Sequence, residues 1–142
     1  MLATNPMFFH LFNITPKPKR GKCADACHFY NYKEHAVFYI DQESSAADSE
    51  NTVVLIHGFP TASYDWWKIW DQLIANFRVI TVDMTGFGFS DKPKNYDYSI
   101  FDQANLFEEL LSHLAVGHCY ILSHDYGDKE TQELNARNNQ SS

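Results

Sequence analysis

The residues CYILSHDYG, numbered 119 to 127, lead an apolar run directly into a short turn with a carboxylate, Asp125, at its centre. Two small residues, Ser123 and Gly127, stand two positions before and after it. This pattern is typical of a sharp turn from a strand into a helix, in which the central side chain is lifted clear of the backbone. Asp125 is therefore a candidate reactive residue. The alternative interpretation is an aspartate that stabilises the positive amino terminus of a helix.

Two further apolar runs precede this turn, at residues 52–56 and 79–82, and both are rich in β-branched residues. Continuous runs of this kind indicate strands that are buried on both faces. Apolar residues at helical spacing fill residues 63–77, and a second helix is predicted from a Ser99 cap to Gly117. The alternation predicts an α/β fold with a mostly parallel sheet flanked by helices. Residues 29–32 and 36–40 flank a short polar turn and predict a hairpin.

Polar residues and glycines follow each predicted strand at its carboxyl end. His57, Gly58 and Phe59 follow the first strand, a loop over residues 83–91 follows the second, and Asp125 follows the third. Because the carboxyl ends of parallel strands meet at one edge of a sheet, we expect these segments to lie close together. For Asp83 and Ser90 in the middle loop we favour a structural role, in which side-chain hydrogen bonds hold the loop itself.

Three blocks of sequence resemble the α/β-hydrolase fold, and within it the branch of epoxide hydrolases and haloalkane dehalogenases. They are HGFPTASYDWWKIW at 57–70, RVITVDMTGFGFSDKP at 78–93 and ILSHDYGD at 121–128. The resemblance covers roughly residues 29–128 and implies that Asp125 is the nucleophile. It also implies that the backbone N–H groups of Phe59 and Tyr126 form the oxyanion hole. Three residues are implied to support these loops: His57, Gly58 and Gly127.

The resemblance also implies a chemistry. A carboxylate attacks an electrophilic carbon without a base, and water activated by a histidine then hydrolyses the ester. Haloalkane dehalogenases have Asn and Trp where this sequence has Phe59 and Tyr126, so dehalogenation is not expected. His-Gly-Phe-Pro matches the epoxide hydrolase pattern. The expected partner is therefore a small-molecule substrate.

The resembling fold places its acid and its histidine after the nucleophile, behind later strands. This sequence ends at Ser142. We therefore expect residues 28–142 to be the amino-terminal part of such a domain, truncated after the nucleophile turn and not catalytically competent as written; whether it is an enzyme stays open. The alternative is a non-catalytic binding or protein-interaction fragment. Such a fragment would use the crevice at the strand ends, or an open sheet edge that also permits self-association.

Composition excludes several other classes of protein. The net charge of −7 and the scattering of 11 basic residues argue against a nucleic-acid partner. No apolar stretch approaches the roughly 20 residues of a membrane span. Three cysteines suggest a reducing compartment and a cytoplasmic protein, whereas the resemblance extends to a protein of the endoplasmic reticulum membrane.

Residues 1–27 are expected to be a tail or linker, because they carry Pro, Lys and Gly without periodicity. Cys23, Cys27 and His28 offer a weak alternative, a metal site. Their spacing lacks the second ligand pair of structural zinc sites. We expect no metal and no cofactor.

Overall fold

Five strands form one mixed sheet in the computed structural model, which describes residues 25–46, 50–125 and 127–140. The strands are β1 (Cys27–Tyr32), β2 (His35–Gln42), β3 (Thr52–Ile56), β4 (Arg78–Val82) and β5 (Tyr120–Ser123), in the spatial order β1-β2-β4-β3-β5. The helices are a 3₁₀ helix (Ser63–Trp66), α1 (Trp70–Ile74), α2 (Ile100–His113) and α3 (Gly127–Gln140). The expected tail falls mostly on residues 1–24, which lie outside the described residues.

The three predicted core strands lie side by side and parallel, as the sequence predicts. β3 is central and pairs with β4 on one side and with β5 on the other. All five residues of β3 are buried, in agreement with its continuous apolar run. The predicted α/β fold with a parallel core is therefore confirmed, and the carboxyl ends of β3, β4 and β5 meet at one edge.

The predicted hairpin at the amino end is also confirmed. β1 pairs with β2 antiparallel, and β2 continues the sheet by pairing antiparallel with β4. Lys33 and Glu34 form the connection with positive φ angles of 48° and 67°. These angles suit the two-residue turns whose twist matches that of the flanking strands.

A buried carboxylate ties this hairpin to α2. Asp102 accepts hydrogen bonds from Lys33 Nζ at 2.5 Å, from the Tyr32 hydroxyl at 2.9 Å and from the Tyr96 hydroxyl. Burial alone would raise the pKa of Asp102, but these three donors outweigh it and hold that pKa below its usual range. The backbone N–H of Asp102 donates to Ser99, which is the predicted helix cap.

The segment 63–77 differs from its prediction, because the single helical period is divided into the 3₁₀ helix and α1. Ile69, between them, has φ −107° and ψ −1°, and neither helix has a side-chain cap. Packing overrides the periodicity here. Trp66 is buried with Val53, Leu55 and Val79, while the next tryptophan, Trp67, is exposed.

One edge of the sheet is formed by β5, which pairs with β3 alone among the described strands. Tyr120 and Leu122 on this strand are 62% and 39% exposed. Behind it, α3 packs mainly on α2, where Arg137 binds Glu108 at 2.9 Å. The sequence predicts that α3 is polar and that Leu134 and Ala136 are its only apolar residues. Of these two, Leu134 is buried and Ala136 is exposed.

Candidate active site

Asp125 lies in the turn between β5 and α3, as the sequence predicts. The turn is closed by two backbone hydrogen bonds of 3.1 Å, from Gly127 N–H to the His124 carbonyl and from Asp128 N–H to the Asp125 carbonyl. Asp125 has φ +53°, in the left-handed region that non-glycine residues seldom occupy. Strained backbone of this kind is common at functional sites, where the surrounding structure maintains it. Here it presents the exposed carboxylate above the end of the sheet.

The loop after β3 supplies a hydrogen-bond donor to this carboxylate. Phe59 N–H donates to Asp125 Oδ2 at 3.2 Å. The two segments meet because β3 and β5 are parallel neighbours, with Ile56 and Ser123 paired just before each turn. Tyr126, the second residue expected in the oxyanion hole, lies outside the described residues. Its contribution stays a prediction.

Two glycines allow the loop and the turn to approach so closely. A β-carbon on Gly58 would lie 2.9 Å from the His124 ring and 3.0 Å from the Asp125 β-carbon. A β-carbon on Gly127 would lie 2.7 Å from the Ile56 carbonyl oxygen. Side chains at either position would therefore push the turn at Asp125 away from β3.

His57 is fully buried and holds the neighbouring loops together. Its Nε2 accepts a hydrogen bond from Met84 N–H at 3.1 Å, and its Nδ1 lies 2.8 Å from the Gly58 carbonyl oxygen. Because a backbone N–H can only donate, we assign the proton to Nδ1. Burial lowers the pKa of His57 and favours this neutral form. These contacts give His57 a structural role, because the buried ring connects two loops through backbone hydrogen bonds.

The loop after β4 is held by Asp83 and Ser90, as expected for a structural role. Asp83 accepts hydrogen bonds at 2.8 Å from the backbone N–H groups of Ser63 and Phe89. Ser90 bonds the Asp83 carbonyl oxygen and accepts a hydrogen bond from Phe38 N–H. Both side chains are buried and form hydrogen bonds with backbone groups.

A pair that the sequence does not reveal lies beside Asp125. His124 Nε2 lies 3.0 Å from Asp65 Oδ2, although 59 positions separate the two residues. Asp65 also accepts a hydrogen bond from Thr61. No local motif connects these positions, so sequence inspection could find the pair only by predicting the packing of the two loops.

Phe59, whose backbone N–H donates to Asp125, also carries an exposed aromatic ring. The Phe59 ring is 53% exposed and meets the edge of Phe87 at a centroid distance of 5.9 Å. Phe87 in turn contacts the buried His57 ring. An apolar molecule would find favourable contact area here beside a charged oxygen.

The part of the chain that the structure describes contains neither a cluster of metal-binding side chains nor a membrane-spanning helix. No three His, Cys, Asp or Glu residues within it are grouped to hold a metal ion. Cys23 of the weak metal alternative lies outside it. Within the same ranges, no helix has the length and apolar character that crossing a membrane requires.

A family model for the alpha/beta hydrolase fold matches residues 51–127, from the start of β3 to the first residue of α3. The chain belongs to the α/β-hydrolase fold family. This result confirms the family to which the three sequence blocks point, and the site described above lies within the matched region.

Comparison with known proteins refines the position within this family. The chain is 53% identical over 109 residues to the mesoderm-specific transcript protein of Mus musculus, covering 75% of this chain and 32% of that protein. The same three sequence blocks also predict this likeness. Epoxide hydrolase 3 of Xenopus tropicalis is 31% identical over 85 residues, covering 58% and 23%. The chain thus spans about a third or less of the length of these relatives.

Solved α/β hydrolases share the architecture of the chain. A loop variant of a haloalkane dehalogenase from Bradyrhizobium elkanii superimposes with a TM-score of 0.71 at 29% identity. The match covers 80% of this chain and 36% of that enzyme. The observed elements therefore correspond to one part of the complete α/β-hydrolase fold.

Proposed function

We propose that Asp125 is the nucleophile of an epoxide-hydrolase-like reaction on a small apolar electrophile. The observation that carries this proposal is the hydrogen bond of 3.2 Å from Phe59 N–H to Asp125 Oδ2, made on a strained turn at the end of parallel strands. The similarity to an epoxide hydrolase supports the class of reaction. The exposed Phe59 ring supports an apolar substrate.

The hydrogen bond assigns different tasks to the two carboxylate oxygens. Oδ2 is held by Phe59 N–H, so Oδ1 is the oxygen that attacks an epoxide carbon. The carbon–oxygen bond of the epoxide breaks, and its oxygen takes a proton from water to become a hydroxyl group. Oδ2 becomes the carbonyl oxygen of the ester. When water later attacks the ester carbon, negative charge develops on Oδ2, where the Phe59 and Tyr126 N–H groups stabilise it.

Epoxide opening is favoured over dehalogenation on the identity of two residues. Phe59 and Tyr126 stand where dehalogenases of this branch have the Asn and Trp that bind the departing halide. Neither side chain supplies the amide or indole N–H that a halide ion requires. An epoxide retains its leaving oxygen and has no need of such a site.

We propose further that the 142 residues alone form the ester but do not hydrolyse it repeatedly. Ester hydrolysis needs a base that activates water. Across the described ranges, the hydrogen bonds do not join any histidine to the Asp125 carboxylate. His57 is buried and His124 is bound to Asp65.

Incubation with styrene oxide tests both statements. We expect one covalent adduct, detected by intact mass and located on Asp125 by peptide mapping, with no sustained formation of the diol. Asp125→Asn removes the nucleophile and should abolish the adduct, while the exposed Asp97→Asn serves as the matched control. An adduct that persists in Asp125→Asn would refute the assignment of Asp125 as the nucleophile. Continuous diol release that depends on Asp125 would refute the arrest at the ester.

A second candidate function is binding through the open edge of β5. The exposed Tyr120 and Leu122 favour it, because unpaired strand edges with apolar side chains recruit further strands. The occupant would be a second copy of the chain or a strand of another protein.

The association with the endoplasmic reticulum membrane that the resemblance implies stays a prediction. Fractionation of cells that express a tagged form of the chain tests it. Recovery of the tagged chain in the membrane fraction is the expected result.

A further inference from the structure

The imidazole ring of His124, the residue before the nucleophile, lies between two groups of the β3 loop. On one side it covers Gly58, since a β-carbon there would lie 2.9 Å from both Nδ1 and Cε1. On the other side it meets the Trp66 ring edge to face, at a centroid distance of 5.2 Å. The side chain is nevertheless 45% exposed, so packing alone does not fix the ring.

A hydrogen bond supplies the missing constraint. His124 Nε2 lies 3.0 Å from Asp65 Oδ2, in the first turn of the 3₁₀ helix. Asp65 is itself fixed by Thr61, which lies two residues after Phe59. The connection therefore runs from the nucleophile turn, through one carboxylate, back to the loop that carries the Phe59 N–H.

We propose that His124 and Asp65 are positioning residues that hold the Asp125 carboxylate against the Phe59 N–H. The catalytic consequence rests on the proposed function, whereas the structural consequence does not. Without the pair, the exposed His124 ring is free to leave Gly58. The turn at Asp125 then loses its contact with Asp65. The described residues show no other polar side-chain contact between Asp65 and this turn.

The physical reason for such a device is the cost of the turn. A residue such as Asp125 in the left-handed region would lower its free energy by relaxing to another conformation, unless its surroundings hold it in place. Reactivity at a carboxylate depends on sub-ångström placement of the attacking oxygen. The hydrogen bond between His124 and Asp65 joins loops that are distant in sequence and provides the restraint.

Two substitutions break the pair from opposite sides. His124→Phe retains a ring on Gly58 and Trp66 but removes the nitrogen, and Asp65→Ala removes the acceptor. Asp65→Asn retains an acceptor oxygen and should restore the contact. Asp71→Ala, at an exposed acid of α1, is the matched control for loss of charge.

Amide hydrogen exchange tests the structural consequence. We expect exchange of the Phe59 amide to accelerate about tenfold in His124→Phe and Asp65→Ala, because its bond to Asp125 is made less often. Exchange of the Val54 amide in β3 should stay unchanged, which separates positioning from general loss of stability. Asp65→Asn and Asp71→Ala should match the wild type. Unchanged exchange at Phe59 in both disrupting variants would overturn the proposal.

The rate of labelling by styrene oxide tests the catalytic consequence. We expect the maximal rate to fall about tenfold in the two disrupting variants, with little change in the half-saturating concentration. Asp65→Asn should stay within about threefold of the wild type. Labelling that is equally fast in all variants would overturn the catalytic role and leave Asp125 as the nucleophile. If the wild type is not labelled at all, the proposed function fails, and hydrogen exchange at Phe59 alone decides the positioning role.

Discussion

Gly127 is the residue at which the shape of the turn around Asp125 depends most directly on the lack of a side chain. A β-carbon there would lie 2.7 Å from the Ile56 carbonyl oxygen, which is backbone and does not move cheaply. We expect Gly127→Ala to lower the free energy of unfolding by about 2 kcal/mol, through overpacking and displacement of α3. Chemical denaturation with a circular-dichroism signal measures this change.

Gly117 provides the matched control, because a β-carbon there would meet no atom within 4 Å. Gly117→Ala should leave stability within about 0.5 kcal/mol of the wild type. Equal stability of the two alanine variants would contradict the close approach at the turn.

At the scale of single residues, the sequence predicts which residues form turns and caps better than it predicts which distant groups surround them. Asp125, Gly127 and Ser99 are recognisable because their roles depend on neighbours within a few positions, at a turn or a helix cap. The contact between His124 and Asp65 depends on two loops brought together by parallel pairing. A single sequence carries no local signal for such a contact.

Among the elements, α3 carries the most unusual side chain. Glu130 is fully buried, and neither of its carboxylate oxygens accepts a hydrogen bond from another of the described residues. Burial raises its pKa to about 7, and this shift is opposed by the backbone N–H of Glu130 itself and by the charge of Lys129 on the same helix. Among the elements packed on α3, β3 contains no ionisable residue, β5 contains only Tyr120, and α2 contains Asp102, Glu108, Glu109 and His113.

This environment makes the stability of the protein depend on pH. The folded state binds the Glu130 proton more tightly than the unfolded state, whose carboxyl group titrates near its ordinary value of 4.5. The resulting stability is complete below that value and is lost as pH rises through about 7. The loss is on the order of 3 kcal/mol. We expect unfolding midpoints in urea to fall between about pH 5 and pH 8.

Glu130→Gln keeps the shape of the side chain and cannot ionise, so it should flatten this pH profile. Glu130→Leu should exceed the wild type in stability at pH above about 7, because it also removes the unpaired polar atoms. Glu109→Gln, at an exposed glutamate of α2, controls for charge and should retain the wild-type profile. A wild-type profile in Glu130→Gln would show that another group titrates.

The elements themselves were predictable where one cause dominates. β3 and β4 are read from continuous β-branched runs, and α2 is read from its cap and its apolar face. The segment 63–77 was not, since its period is helical while the packing of Trp66 breaks the helix at Ile69. Glu130 was missed because its burial is decided by α2 and the sheet, not by its own polar neighbours.

For the whole molecule, the open edge of β5 governs the expected behaviour in solution. Tyr120 and Leu122 expose apolar surface beside backbone groups that face no further strand among those described. We expect concentration-dependent self-association, which light scattering at high micromolar concentration would detect. Leu122→Lys should suppress it, because a charge at a strand edge opposes pairing.

Phe101→Lys is the matched control for this experiment. Phe101 is 63% exposed and lies on α2 rather than on a strand. This variant should associate as the wild type does. A wild type that stays monomeric, or equal suppression in both lysine variants, would contradict pairing through β5.

The order of strands in the sheet also bears on how the molecule folds. In the hairpin Tyr32 pairs with His35 after a two-residue turn, whereas β3 pairs Val53 with Tyr120 and must first close a long loop. Closing a loop costs entropy before the strands can pair, so we expect the hairpin to form early and β5 to join late. Asp125 follows β5. We therefore expect a refolding chain to place the Asp125 turn late, so that a partly folded molecule has most of its sheet but lacks the proposed reactive site.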